Sequence, residues 1–274
     1  MRQRPSFPAK LDDTLAKNRP NTVGTTTAAP SKPSAPVAPA ATAVRLKAAA
    51  QGPVSQGHGM ESSAVRTRMV QKLAAQGISD TLVLGAMGAI ERHRFVDSAL
   101  INQAYEDTSL PIGLGQTISK PGVVSRMLEL MRNGQGGKLG RVLEIGTGCG
   151  YQAAVLSLLA TEVYSIERLR GLHDKARENL RHLRLANLHL LFGDGMEGYA
   201  KGAPYAAIIA AAGGEAVPQA WVDQLAMGGR LVAPVITAGA AGAQALLVLD
   251  KTPQGVRQTI LEAVHFVPLK SGVA

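Results

Sequence analysis

The stretch Arg141-Val-Leu-Glu-Ile-Gly-Thr-Gly-Cys-Gly150 runs from a short apolar segment into glycines at 146, 148 and 150. Ala153 to Leu159 then reads as helix. A strand that ends in glycines and feeds a helix is the opening of an α/β crossover, and ligands of such sheets bind beyond the carboxyl ends of the strands. The spacing narrows the ligand. A dinucleotide fingerprint, G-x-G-x-x-G, needs a sixth-position glycine counted from Gly146, and Tyr151 stands there. A phosphate-cradling loop needs Lys followed by Ser or Thr, and neither follows Gly150.

Downstream the strand–helix rhythm continues. Val163 to Ile166 reads as a strand and Leu172 to Leu183 as a helix. Further strands are expected at Leu188–Phe192, Tyr205–Ala210 and Arg230–Val235, with Leu246–Leu249 and Leu261–Val267 as a closing pair. The expected fold is α/β, a mostly parallel sheet with helices on both faces. Upstream lies a helical subregion. Val65, Met69, Val70 and Leu73 recur at helical spacing ahead of Gly77, and Ser79-Asp80 can cap a helix carrying Leu82, Val83, Met87 and Ile90. Tyr105 to Lys120 is rich in Gly, Thr and Ser and reads as loop; Pro121 then opens a helix through Met131.

The spacing E-x-G-x-G-x-G, Glu144 to Gly150, resembles the nucleoside-binding loop of Rossmann-like S-adenosylmethionine methyltransferases. Two carboxylates stand at later strand ends. Glu167 can accept both ribose hydroxyl hydrogens; its plainer role is an acid at a helix start. Asp194, within Gly193-Asp-Gly195, can accept from an adenine amino group; its plainer role is an Asx turn.

Composition bounds the rest. Of 274 residues, 46% are hydrophobic, 4% aromatic and 18% charged, which suits an aliphatic core rather than a base-stacking surface. Residues 1–60 hold eight of the fifteen prolines, and eight basic residues against two acids. They therefore carry +6 of the net +9, so no nucleic-acid partner is expected for the remainder. This basic Pro/Ala/Thr-rich segment is expected to be a disordered extension before a methyltransferase domain at 61–274, although an acid-poor, Arg-bearing start also suits a transit peptide. One cysteine, Cys149, allows no internal disulfide and favours a reducing compartment; a cytoplasmic location is expected. No apolar run is long enough to span a membrane. The six histidines show no metal-ligand spacing, so no metal is expected; His173, His182 and His189 read as surface, and Trp221 as core.

The decisive stretch precedes the sheet. Phe95-Val96, Ala104-Tyr-Glu-Asp107 and Leu110-Pro-Ile-Gly-Leu-Gly-Gln-Thr-Ile-Ser-Lys-Pro121 resemble the protein-L-isoaspartate O-methyltransferases. The resemblance continues through Val142–Gln152, Gly193–Gly195, Pro218, Gly228–Arg230 and Phe266–Leu269, covering roughly residues 61 to 270. It implies methyl transfer from S-adenosylmethionine to the carboxylate of L-isoaspartyl residues in damaged proteins and peptides, which initiates their repair. Ser119 is the implied active-site residue. Thr117, Ile118, Glu144, Gly146, Thr147, Gly148, Glu167, Asp194 and Gly195 are the implied cofactor contacts. The sequence departs from the family pattern at Cys149, where serine is frequent, and at Ala210–Glu215, where a threonine often begins the segment. The acceptor is ionised at neutral pH, so no general base is required. Ser119 is expected to orient the carboxylate by hydrogen bonding, or else to be a turn residue ahead of Pro121. Other readings are a small-molecule or RNA methyltransferase, a nicotinamide oxidoreductase, which Tyr151 disfavours, and a non-catalytic binding protein. A monomer is favoured.

Overall fold

In the computed structural model, which describes residues 63–237 and 242–274, helices α1 (Ser63–Ala75) and α2 (Thr81–Ala89) come first. The extension expected at 1–60 lies outside the described residues. Gly77 takes φ +105° just after α1. Asp80 caps α2, its Oδ1 accepting from Leu82 N at 2.9 Å and Val83 N at 3.1 Å. Its Oδ2 accepts from the buried Arg132 guanidinium at 2.7 Å. Glu129 Oε1 accepts from the amides of Ser79 and Asp80. The end of α3 (Pro121–Arg132) therefore holds the start of α2.

Between them the chain forms strands β1 (Leu110–Gly113) and β2 (Gln116–Ile118), an antiparallel hairpin where a loop was expected. Leu110, Ile112 and Ile118 are buried while Pro111 and Thr117 are exposed, an alternation too short to read beneath the Gly/Thr composition. The turn is Leu114-Gly115, at φ +52° and +69°. Two successive left-handed residues match the twist of a tight hairpin.

Next come β3 (Leu139–Ile145), α4 (Tyr151–Leu159), β4 (Ala160–Glu167), α5 (Arg170–Leu180), β5 (Leu188–Phe192), β6 (Tyr205–Ala210), α6 (Gln219–Gln224), β7 (Leu225–Ile236), β8 (Gln244–Thr252) and β9 (Gly255–Val264). The sheet order is β5-β4-β3-β6-β7-β8-β9. The first five strands pair parallel; β8 and β9 add antiparallel. The last strand starts earlier than Leu261 because Arg257, Gln258 and Thr259 on this edge strand face water and leave no apolar signature.

Val142, Val163, Ala207 and Val232 belong to the cluster under α3, α4 and α5, with α1 and α2 laid over α3 and α4. Leu143, Ile145, Ile208 and Leu231 face the other way, toward Trp221 of α6. Helices do cover both faces, but unequally. Between β5 and β6 the chain makes only single 3-10 turns, because Gly195, Gly198, Gly202 and Pro204 interrupt it. Trp221 is core, its Nε1 donating to Gly195 O at 2.7 Å. His173 is buried against Phe192 on the inner side of α5, contrary to the surface reading. No helix among the described residues is long and apolar enough to cross a membrane.

Candidate functional site

Chain order reverses at β3, which has β4 on one side and β6 on the other, and a crevice opens above such a switch point. The β3 loop closes tightly there. Gly146 N donates to Ile166 O at 2.9 Å and Gly150 N to Thr147 O at 2.9 Å. Gly150 sits at φ +92°, and a Cβ on it would lie 2.8 Å from Leu180 Cδ1. Any other residue would hold a strained left-handed backbone there and press on the Leu180 side chain.

Beyond this loop is a cavity of about 430 Å³, within the range of small-molecule sites. Its wall includes Gly146, Thr147, Gly148, Glu167 and Gly195 from the strand ends, and Thr117, Ile118 and Ser119 from the hairpin. The Glu167 carboxylate is fixed on both oxygens, Oε2 by Gly148 N and Oε1 by Leu169 N, each at 2.9 Å. A carboxylate has about four acceptor sites, so capacity remains toward the cavity.

Two residues expected as contacts, Glu144 and Asp194, do not line this cavity. Glu144 is fully buried and absent from the wall. Its Oε2 accepts from Ser165 Oγ, which is 2.6 Å from Thr147 Oγ1, so Glu144 braces the loop from beneath. The Glu144 carboxyl is pushed up to about 8 by burial, reinforced by the Glu167 charge and relieved in part by Ser165 and Gln152. Asp194 is also absent from the wall. Its Oδ1 accepts from Met196 N at 2.8 Å, the Asx turn of the plainer reading, and its Oδ2 from Gly272 N at 2.5 Å. The physical reason is common to both. A strand-end carboxylate bonds the nearest unpaired donors, and here those are a buried hydroxyl and two backbone amides.

The wall also contains residues that sequence reasoning did not single out: Gln116, Gln152, Arg168, Leu169, Ala211 and Val267 to Lys270. Val267 to Leu269 lie in the Phe266–Leu269 match, which was the available signal for them. Gln152 Nε2 is buried with no hydrogen-bond partner among the described residues. A second cavity of about 450 Å³ is lined by Ser109, Ser119, Lys120, Val123, Ala263, Val264, His265 and Phe266. Ser119 is the residue common to both walls.

A glycine loop at the switch point, a strand-end carboxylate beside it and a hairpin folded over the cavity define a Rossmann-like, S-adenosylmethionine-dependent methyltransferase. The family profile for protein-L-isoaspartate(D-aspartate) O-methyltransferase matches residues 64–274. The chain belongs to that family, whose reaction is methylation of the isoaspartyl carboxylate. A protein-L-isoaspartate O-methyltransferase of Leptothrix cholodnii is 60% identical over 227 residues, 82% of this chain and 80% of that one. One of Methylibium petroleiphilum is 54% identical over 273 residues, 99% and 97% of the two chains. A solved protein-L-isoaspartate O-methyltransferase superposes with a TM-score of 0.68 at 28% identity, covering 76% of this chain and 67% of that one. A Plasmodium falciparum structure, solved with S-adenosyl-L-homocysteine, has the same fold with a TM-score of 0.65 at 23% identity, covering 75% and 98%.

Proposed function

We propose that the cavity at the strand ends receives S-adenosylmethionine and the second cavity the isoaspartyl segment of a damaged protein, with Ser119 orienting the acceptor carboxylate where they meet. The observation that carries this is the position of Ser119 in both walls. The wall at the strand ends suits the cofactor chemically. Glu167 keeps acceptor capacity for vicinal ribose hydroxyls. Gly146, Gly148 and Gly195 let backbone approach a nucleoside closely. Glu144 supports the loop in this reading, and Asp194 fastens the chain at Gly272.

S-adenosylmethionine, when bound, supplies a methyl group on a sulfonium, which departs as a neutral thioether. The residues' task is then to position and to keep water out. The acceptor is already ionised, so no residue needs to remove a proton. Ser119 donates to one carboxylate oxygen and so aims the pair. Lys120 and His265 line the second cavity and no acid does, so acidic side chains beside the isoaspartate are favoured over basic ones.

Labelled methyl transfer to an isoaspartyl peptide, beside its aspartyl twin, tests the reading. Label is expected on the isoaspartyl peptide alone. Equal labelling of the twins, or none, would overturn it.

A further inference from the structure

Arg92 is fully buried, in a short 3-10 turn ahead of the hairpin. Its Nε donates to Ala104 O and its Nη2 to Ser119 O, both at 2.8 Å. Its guanidinium carbon lies 4.8 Å from the centre of the Tyr151 ring. Tyr151 is the first residue of α4, directly after Gly150, and lines the cofactor cavity. Among the described residues no carboxylate forms an ion pair with Arg92. Asp107, whose charge it feels, is engaged with the Gly122 amide at 2.7 Å.

A buried cation without a counter-ion is expensive, so the two carbonyls and the ring face must return what burial removes. Those partners are not arbitrary. One is the backbone of the residue that meets the acceptor, and another opens the helix behind the cofactor loop. We infer that Arg92 is a positioning residue: it sets the Ser119 loop against the Gly146–Gly150 loop, and so fixes where the Ser119 hydroxyl stands relative to the methyl donor. Its planar fork spans two carbonyls while its face rests on Tyr151, which a lysine ammonium cannot reproduce. Its positive charge also lies behind the loop that receives an anionic acceptor.

This inference rests on the assignment of the acceptor to Ser119, and a double-mutant cycle separates the two. Arg92→Lys and Arg92→Gln are made in the wild-type chain and in Ser119→Ala. Thermal unfolding, S-adenosylhomocysteine affinity, and kcat and KM on an isoaspartyl peptide are measured. The expected result for Arg92→Lys is a folded protein with S-adenosylhomocysteine affinity within about threefold of wild type, and kcat lowered about 10- to 100-fold. In the Ser119→Ala background the same change should cost less than about threefold, because the hydroxyl it positions is gone. Equal costs in both backgrounds, unchanged kcat, or failure of both Arg92 variants to fold would overturn the inference and leave Arg92 a packing residue. Wild-type activity in Ser119→Ala alone would instead overturn the assignment of Ser119.

Discussion

Glu167 Oε2 accepts the Gly148 amide across 2.9 Å, fastening the end of β4 to the loop that ends β3. The proposed ribose acceptor and the glycine loop are thus fastened into one unit. Glu167→Ala removes that bond together with the acceptors for two hydroxyls. Charge-assisted bonds of this kind contribute about 1.5–3 kcal/mol each, so S-adenosylhomocysteine should bind at least ~100-fold more weakly. Calorimetry checks this, and wild-type affinity would remove Glu167 from the site.

Ser119→Ala deletes a hydroxyl and keeps the backbone that Arg92 holds. Methylation of an isoaspartyl peptide should fall roughly 10- to 100-fold while S-adenosylhomocysteine affinity stays nearly constant. The pH–rate profile should show no limb near neutrality from the acceptor, which titrates near ~4. A profile requiring a base of pKa near ~7 would contradict the positioning mechanism.

Glu144→Gln should separate stability from binding. The unfolded carboxyl titrates at about 4.5 and the folded one at about 8. Between those values the folded state keeps a proton that the unfolded state has lost. Stability from the protonated form is present below about pH 4.5 and drains away as pH rises toward about 8. Glutamine lacks this titration, so its stability relative to wild type should grow by on the order of 3–4 kcal/mol between pH 5 and 8. Urea unfolding at a series of pH values reads the difference, and parallel curves would refute it. Cofactor affinity should change little, unlike that of Glu167→Ala.

Arg132→Met breaks the buried pair with Asp80, whose partner side chains are 1% and 11% exposed. Removing one member of such a pair costs about 3–5 kcal/mol, because the other charge is left without its partner. The loss should appear in the denaturation midpoint. A change below about 1 kcal/mol would mean that the helix-capping amides alone satisfy Asp80.

A chain beginning at Met60 should keep its melting temperature and its activity. The removed segment is rich in Pro, Ala and Thr and carries none of the site residues. A large loss of either property would assign residues 1–60 a place in the working enzyme.

The sequence by itself determined the sheet, the glycine loop and the family. Short apolar runs such as Val163–Ile166, alternating with helical stretches, suit strands covered on both faces, and Tyr151 at the sixth loop position broke the dinucleotide fingerprint. Glu167 could be placed at a strand end from chain order, and Ser119 was singled out by the family resemblance; both line the cavity at the strand ends. The hairpin at Leu110–Ile118 was not legible, since its alternation is only a few residues long and its turn depends on two left-handed residues, one of them a leucine. Which way a strand-end carboxylate points was decided only by tertiary structure. Glu144 turned inward to Ser165, and Asp194 toward Gly272, because hydrogen-bond donors from distant parts of the chain reached them first. Arg92 is the extreme case. It lies 27 residues from Ser119 in sequence, and nothing in its local pattern marks it. Only the tertiary fold brings the Ser119 carbonyl and the Tyr151 ring within reach of its guanidinium.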